Sequence, residues 1–348
     1  MQGFILEGYD YQSILNKVED LAELWYEHGL LCFREAHLSP TELAHVMLEI
    51  GKVKNHFVTM GFPLFRSAVD DDDAPPPNPP PPRWTGWATK YGQVHIEPHT
   101  VVMEQQLSLV YVDDDWRQDS LEGGKDGQTL KCPILSWHTE NPHWFYPQLC
   151  SAFTMAWKSC SKEEGETGFV NYVHLYDSLP GHLQDIARTE PAFIRFPPSE
   201  RLEGHLVASE EQRAEVRALP SYLRLDYPDE PPPPGAVPVR PMALPHPVTG
   251  KYSMRHQPGQ PTGFMNPDIA DSDFIELKQA IVDFTMDEDN QFWWQWTVGD
   301  FLLVDFAVMA HCVSPYPVGT RSMMGCHGYM EGKTDPAYHG EHSAIEEA

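Results

Sequence analysis

The chain has 348 residues, 41% of them hydrophobic and ten of them Trp, so it can bury a full core and is too apolar to stay disordered. Its 24 Lys and Arg against 51 Asp and Glu give a formal net charge of −27. That field repels nucleic-acid backbones and anionic membranes and leaves a small-molecule substrate as the expected partner.

The first element expected is a helix from Tyr11, where Leu15, Val18, Leu21, Leu24 and Trp25 recur at three- and four-residue spacing until Gly29 stops it. Leu30 to Phe33 reads as a short buried strand. Ser39-Pro40-Thr41-Glu42 opens a second helix, with Ser39 as cap and Pro40 at its first position, running to Gly51. Residues 67–83 hold four consecutive Asp and then a proline-dense run, which suits an extended inserted loop rather than a helix or a paired strand. A second proline cluster, Pro231 to Pro234, falls in a long connection.

Beyond Trp84, short β-like runs dominate: Gln93 to Ile96, Leu107 to Val112, Phe153 to Trp157 and Phe169 to Val173. Asp177 to Arg188 and Ser272 to Met286 have helical spacing. Phe301 to Phe306 reads as a buried strand entered by a turn at Gly299-Asp300, with His311 at its end and Arg321 on the strand after it. Residues 331–348 read as a C-terminal tail. Strands broken by wide insertions, with helices outside, predict an α+β fold with a double-stranded β-helix (jelly-roll, cupin-like) core, formed as one domain over 1–348.

Three further features bear on the surroundings. No apolar run approaches the roughly 18 residues of a membrane span. Met1 to Ile5 lacks the basic start of a signal peptide. The six cysteines contain no CxxC pair, as expected of reduced thiols in a cytoplasmic protein. Whether the chain forms a homo-oligomer is left open.

The chemistry concentrates at Trp137-His138-Thr139-Glu140. On a strand, residues two apart share a face, so His138 and Glu140 point the same way. A third donor from His311 would complete two histidines and a carboxylate with positions left open, the ligand pattern of non-haem Fe(II) oxygenases. A buried Arg321 would need an anionic partner, which a dicarboxylic co-substrate could provide. A zinc hydrolase using the same three ligands, or a non-catalytic jelly-roll binding protein, are the competing readings.

Trp137-His138-Thr139-Glu140, the Gly165-Glu166-Thr167 turn, and Gly299-Asp300 through His311 to Arg321 resemble the taurine-dioxygenase-like (TauD/TfdA) Fe(II)/2-oxoglutarate-dependent oxygenases. Glu27 to Arg34 and Pro40-Thr41-Glu42 resemble that family's opening segment. The resemblance implies that His138, Glu140 and His311 bind Fe(II). It implies that Arg321 and Thr167 hold the distal carboxylate of 2-oxoglutarate. It further implies that O2 is consumed, succinate and CO2 are released, and an unactivated C–H bond of a small amino-acid-like or secondary-metabolite substrate is oxidised. The chain departs from the family at Glu140, where Asp is usual, and at Gly325, where taurine-type enzymes carry a second Arg for the substrate's anionic group. Trp144, Arg255 and His256 are the residues expected to meet substrate. His143 also follows the metal motif closely, but as a fourth ligand it would fill a position needed by O2. Trp293, Trp294 and Trp296 are expected as core or rim aromatics.

Overall fold

The computed structural model describes residues 4–38, 40–53, 65–66, 93–94, 109–113, 137–139, 150–158, 166–193, 214, 217–218, 221–223, 237–246, 248–256, 263–314 and 322–328. Among them, no helix is long and apolar enough to cross a membrane. The 67–83 loop, the Pro231–Pro234 cluster and the 331–348 tail lie outside the described residues.

Of the five sheets among the described residues, two, with the helices packed on them, position the candidate site. The larger sheet has six strands in the order Phe4–Leu6, Leu30–Phe33, Phe301–Asp305, Cys150–Lys158, Ser322–Gly328 and Leu109–Asp113. The smaller has three, in the order Gln291–Trp294, Thr167–Asn171 and Met309–Val313. One apolar cluster joins them: Phe33, Phe301 and Leu303 of the larger sheet lie with Phe169 and Trp294 of the smaller. The same cluster takes Leu21, Trp25, Val46 and Met47 from the N-terminal helices. A second cluster, holding Trp137, Val170, Ala310 and Cys312 with Leu277 and Ile281, covers the other face of the three-stranded sheet.

Phe301–Asp305 is buried at every position because helices cover one of its faces and the core the other. The turn that starts it is held by the buried Asp300. Its carboxylate accepts from Arg34 Nη1 at 2.5 Å, from Glu35 N at 3.0 Å and from Thr297 N at 2.8 Å. The Arg34 guanidinium lies 3.8 Å over the Trp294 ring, so the opening segment and the two sheets meet at one charge-assisted contact.

The helix expected from Tyr11 is two helices, Tyr11–Leu15 and Val18–His28. Lys17 takes ψ of 21° between them, outside helical geometry. Gly29 does stop the second helix, in left-handed geometry at φ 75°. The next helix spans Pro40–Val53, two residues past Gly51; Ser39 lies outside the described residues. The run Phe169 to Val173 leaves the sheet early. Asn171 accepts from Val173 N and caps a helix, Tyr172–Ser178. The helix expected over Asp177 to Arg188 is broken at Leu179-Pro180 and resumes as Gly181–Thr189, because proline has no N–H to donate. Helix Asp271–Met286 and strands Cys150–Lys158 and Leu109–Asp113 fall where periodicity put them.

One correction reaches the site. His311 does not end the strand that begins at Phe301. The chain turns at Phe306-Ala307-Val308 and crosses to the smaller sheet, where His311 is central in Met309–Val313. The crossover is pinned from below by Gly29, whose carbonyl accepts from Asp305 N at 2.8 Å. A Cβ on Gly29 would fall 2.6 Å from Val308 Cγ2 and 2.8 Å from Met309 Cε. Gly29→Ala therefore combines a left-handed backbone with a clash in the core. It should cost about 2 kcal/mol or more, read as a lowered urea midpoint at constant slope; an unchanged midpoint contradicts this account of the crossover.

Candidate metal centre

His138 pairs with His311 as an isolated antiparallel bridge at the free edge of Met309–Val313. Both backbone hydrogen bonds are exchanged: His138 N to His311 O at 3.0 Å and His311 N to His138 O at 2.8 Å. Directly opposed residues present side chains on one face, and the two imidazole centroids are 4.1 Å apart at 50°. Trp137 goes to the other face, where its ring, that of Trp293 and Cys312 Sγ would all lie within 3.0 Å of a Cβ at Gly168. Glycine at 168 is what lets those groups close over the back of the site.

His311 is buried and sits between two aromatic rings, Phe306 at 4.7 Å and Phe169 at 6.4 Å between centroids. Thr167 lies two residues from Phe169 on its strand and faces the same way. Its Oγ1 accepts from Trp296 Nε1 at 2.8 Å, which orients the hydroxyl so that its own hydrogen can be donated onward. Two imidazoles this close, on paired backbone positions, can give nitrogen donors to one ion at about 2 Å each. The donor set thus fits a metal. Glu140, Arg321, His143 and Trp144 lie outside the described residues.

Arg255 and His256 follow the hairpin strand Tyr252–Met254 and are buried. Arg255 O accepts from Thr139 Oγ1 at 3.3 Å, and Arg255 Nη1 donates to Phe306 O at 3.0 Å. Thr139 is two residues from Trp137, so this contact is made behind the strand, on the face opposite His138. Burial holds His256 well below its ordinary pKa, and the charges of Arg240 and Lys278 depress it further. Burial also brings Lys278 down to about 7.

Neither Arg240 and Lys278, whose charges act on His256, nor the contact between His246 and Asp305 was singled out from the sequence. Only Lys278 left a signal: it occupies the buried register of its helix, beside Leu277 and between Phe274 and Ile281. Trp293, Trp294 and Trp296 were expected as core or rim aromatics; Trp294 and Trp296 are indeed buried, and Trp296 also holds Thr167.

Strands in two sheets sharing one core, with paired histidines at the edge of the smaller sheet, define a β-sheet protein with a candidate metal centre. The family model described as "Taurine catabolism dioxygenase TauD, TfdA family" matches residues 87–327, and the chain belongs to that family. A relative, the (S)-phenoxypropionate/alpha-ketoglutarate-dioxygenase of Sphingobium herbicidovorans, is 24% identical over 206 residues, covering 58% of this chain and 63% of that protein. The chain thus spans somewhat less than two thirds of that relative's length. Two solved structures share the fold. A taurine dioxygenase from Burkholderia xenovorans matches at TM-score 0.55 and 13% identity, covering 96% of this chain and 90% of that one. AAD-2 in complex with Mn(II) and N-oxalylglycine matches at TM-score 0.55 and 12% identity, covering 96% of each chain.

The buried bases predict an acid-sensitive fold. The unfolded chain protonates His256 near pH 6.5, whereas the folded chain holds it neutral to well below that. The unfolded state therefore binds more protons as pH falls below about 6.5, and stability drops by up to about 1.4 kcal/mol per pH unit for this one group. Lys278 adds the same sign of slope between its unfolded value and about 7. Urea denaturation at pH 7.5 and 5.5 should show this loss, with a flatter profile below pH 6.5 for His256→Gln. Equal slopes for the two proteins would remove His256 as the cause.

Proposed function

We propose that this chain is an Fe(II)- and 2-oxoglutarate-dependent dioxygenase. It would oxidise an unactivated C–H bond of a small amino-acid-like or secondary-metabolite molecule by hydroxylation, desaturation or cyclisation. The core would be a double-stranded β-helix formed as one domain over 1–348. The observation that carries the reading is the His138–His311 pair, with imidazoles 4.1 Å apart on hydrogen-bonded backbone positions. Membership of the TauD, TfdA family supports it.

His138, Glu140 and His311 would hold the metal, and Thr167 with Arg321 the distal carboxylate of 2-oxoglutarate. When bound, Fe(II) would couple oxidation of 2-oxoglutarate by O2 to removal of a substrate hydrogen, with succinate and CO2 as products. The chain's own part is positioning and exclusion of water. The backbone pair fixes the angle between the imidazoles. Phe169 and Phe306 flank His311 and keep that side dry. Trp296 fixes the Thr167 hydroxyl, so a carboxylate meets a donor already oriented. A zinc hydrolase would leave the Trp296–Thr167 contact without a role.

With Gly325 in place of a second arginine, a sulfonate gripped as in taurine-type enzymes is not expected. Of the residues expected to meet substrate, Trp144 is the one still proposed there: Arg255 makes its contacts on the face opposite His138, and His256 is fully buried next to it. A screen of amino acids and small carboxylates, cationic ones included, suits the acidic chain.

Anaerobic protein given Fe(II) and 2-oxoglutarate should develop a weak visible charge-transfer band. It should release succinate on exposure to O2. His138→Ala and His311→Ala should lose both signals. Folded, iron-loaded wild type with no band would sink the proposal. Trp296→Phe should weaken 2-oxoglutarate binding by about threefold to tenfold, the worth of one hydrogen bond that orients another. Calorimetric titration reads this, and an unchanged affinity would remove Thr167 from the site.

A further inference from the structure

The turn that carries the chain from the larger sheet to His311 is clamped by buried polar groups that no ligand role explains. His246 and Asp305 are both buried, and His246 Nε2 lies 2.9 Å from Asp305 Oδ2. The ring's tautomer follows from its other nitrogen. Nδ1 faces the N–H groups of Val248 at 3.2 Å and Thr249 at 3.0 Å, so it accepts and the ring proton is assigned to Nε2, which meets the carboxylate as a close polar contact and not as an aligned hydrogen bond. The other carboxylate oxygen, Oδ1, accepts from Ala307 N at 2.8 Å and closes the turn. From the end of the other strand of the same hairpin, Arg255 Nη1 donates to Phe306 O at 3.0 Å. The Phe306 ring lies against His311, 4.7 Å between centroids at 26°.

We propose that His246 and Arg255 are positioning residues for the metal centre. Acting through Asp305 and Phe306, they fix the crossover turn and press the Phe306 ring onto His311, so that its imidazole is held in the ligating orientation before a metal arrives. The inference rests on the functional reading given above. It assigns work to a histidine and an arginine that contact neither metal nor co-substrate. Rotation of His311 would require the turn to move, and moving the turn breaks the contacts that Asp305 and Arg255 make to its backbone, which is costly in a buried segment. Preorganisation of this kind appears in metal affinity, where loss of an outer contact costs about 10- to 100-fold.

Two substitutions at position 246 separate positioning from plain structural support. Asn places an amide near Nδ1 and can still accept from Val248 and Thr249, but nothing then faces Asp305. Gln reaches toward the Nε2 position and keeps a donor for Asp305, while giving up the two backbone contacts. The probe is Mn(II), titrated by loss of its free-ion paramagnetic resonance signal, with thermal unfolding of the metal-free proteins followed in parallel. His246→Asn should bind Mn(II) about 10-fold or more weakly at a temperature where the metal-free variant remains folded. His246→Gln should stay within about threefold of wild type even if its melting temperature falls as far.

Arg255→Met carries the same test from the other anchor, should His246→Asn fail to fold. It should weaken Mn(II) binding about 10-fold. The inference is overturned if folded His246→Asn and Arg255→Met bind Mn(II) as wild type does. It is also overturned if the Asn and Gln variants lose affinity equally, in step with their stability. Wild type that binds no Mn(II) would instead remove the functional reading, and this inference with it.

Discussion

The exchange of two backbone hydrogen bonds between His138 and His311 is the constraint on which the candidate site depends. The two residues are 173 positions apart in the chain, and nothing local brings them together. Once paired, they gain a common face and a fixed spacing without any contribution from their side chains. The imidazoles then approach to 4.1 Å between centroids. The same pairing sends Trp137 to the opposite face, where Gly168 leaves room for it. Imidazole geometry and back-side packing are thus one consequence of register, and a slip by one residue would exchange them.

Register at His311 depends in turn on the crossover that precedes it. Phe301–Asp305 belongs to one sheet and Met309–Val313 to the other, and three residues make the transition. Gly29 reaches this short segment from one part of the chain, and His246 and Arg255 from the two ends of one hairpin. A turn buried on all sides needs such partners, since its polar groups have no water to meet. The buried basic groups Arg240 and Lys278 lie close enough to the buried His256 for their charges to act on it. Acid lability follows from the bases that the fold buries, because burial holds His256 and Lys278 toward their neutral forms.

The amino-acid sequence by itself determined most of the local elements and the family. Helical spacing located Pro40–Val53 and Asp271–Met286, Gly29 ended its helix as a left-handed cap, and the continuous apolar run from Phe301 marked a strand buried on both faces. The spacing of His138, Glu140, His311 and Arg321, with Thr167, was enough to suggest the family, because residue type and order are properties of the chain. Local reading failed where capping or proline competed with periodicity. Asn171 turned a strand into a helix, and Pro180 divided another helix.

What only the tertiary structure decided was the placement of His311 and the groups that hold it. Continuous hydrophobicity from Phe301 onward cannot reveal that the chain changes sheets at Phe306, because both strands are apolar. The partnership of His246 with Asp305, of Arg255 with Phe306 and of Trp296 with Thr167 joins segments tens of residues or more apart. Such contacts leave no periodic trace, since each is selected by packing between elements and not by the propensity of either one.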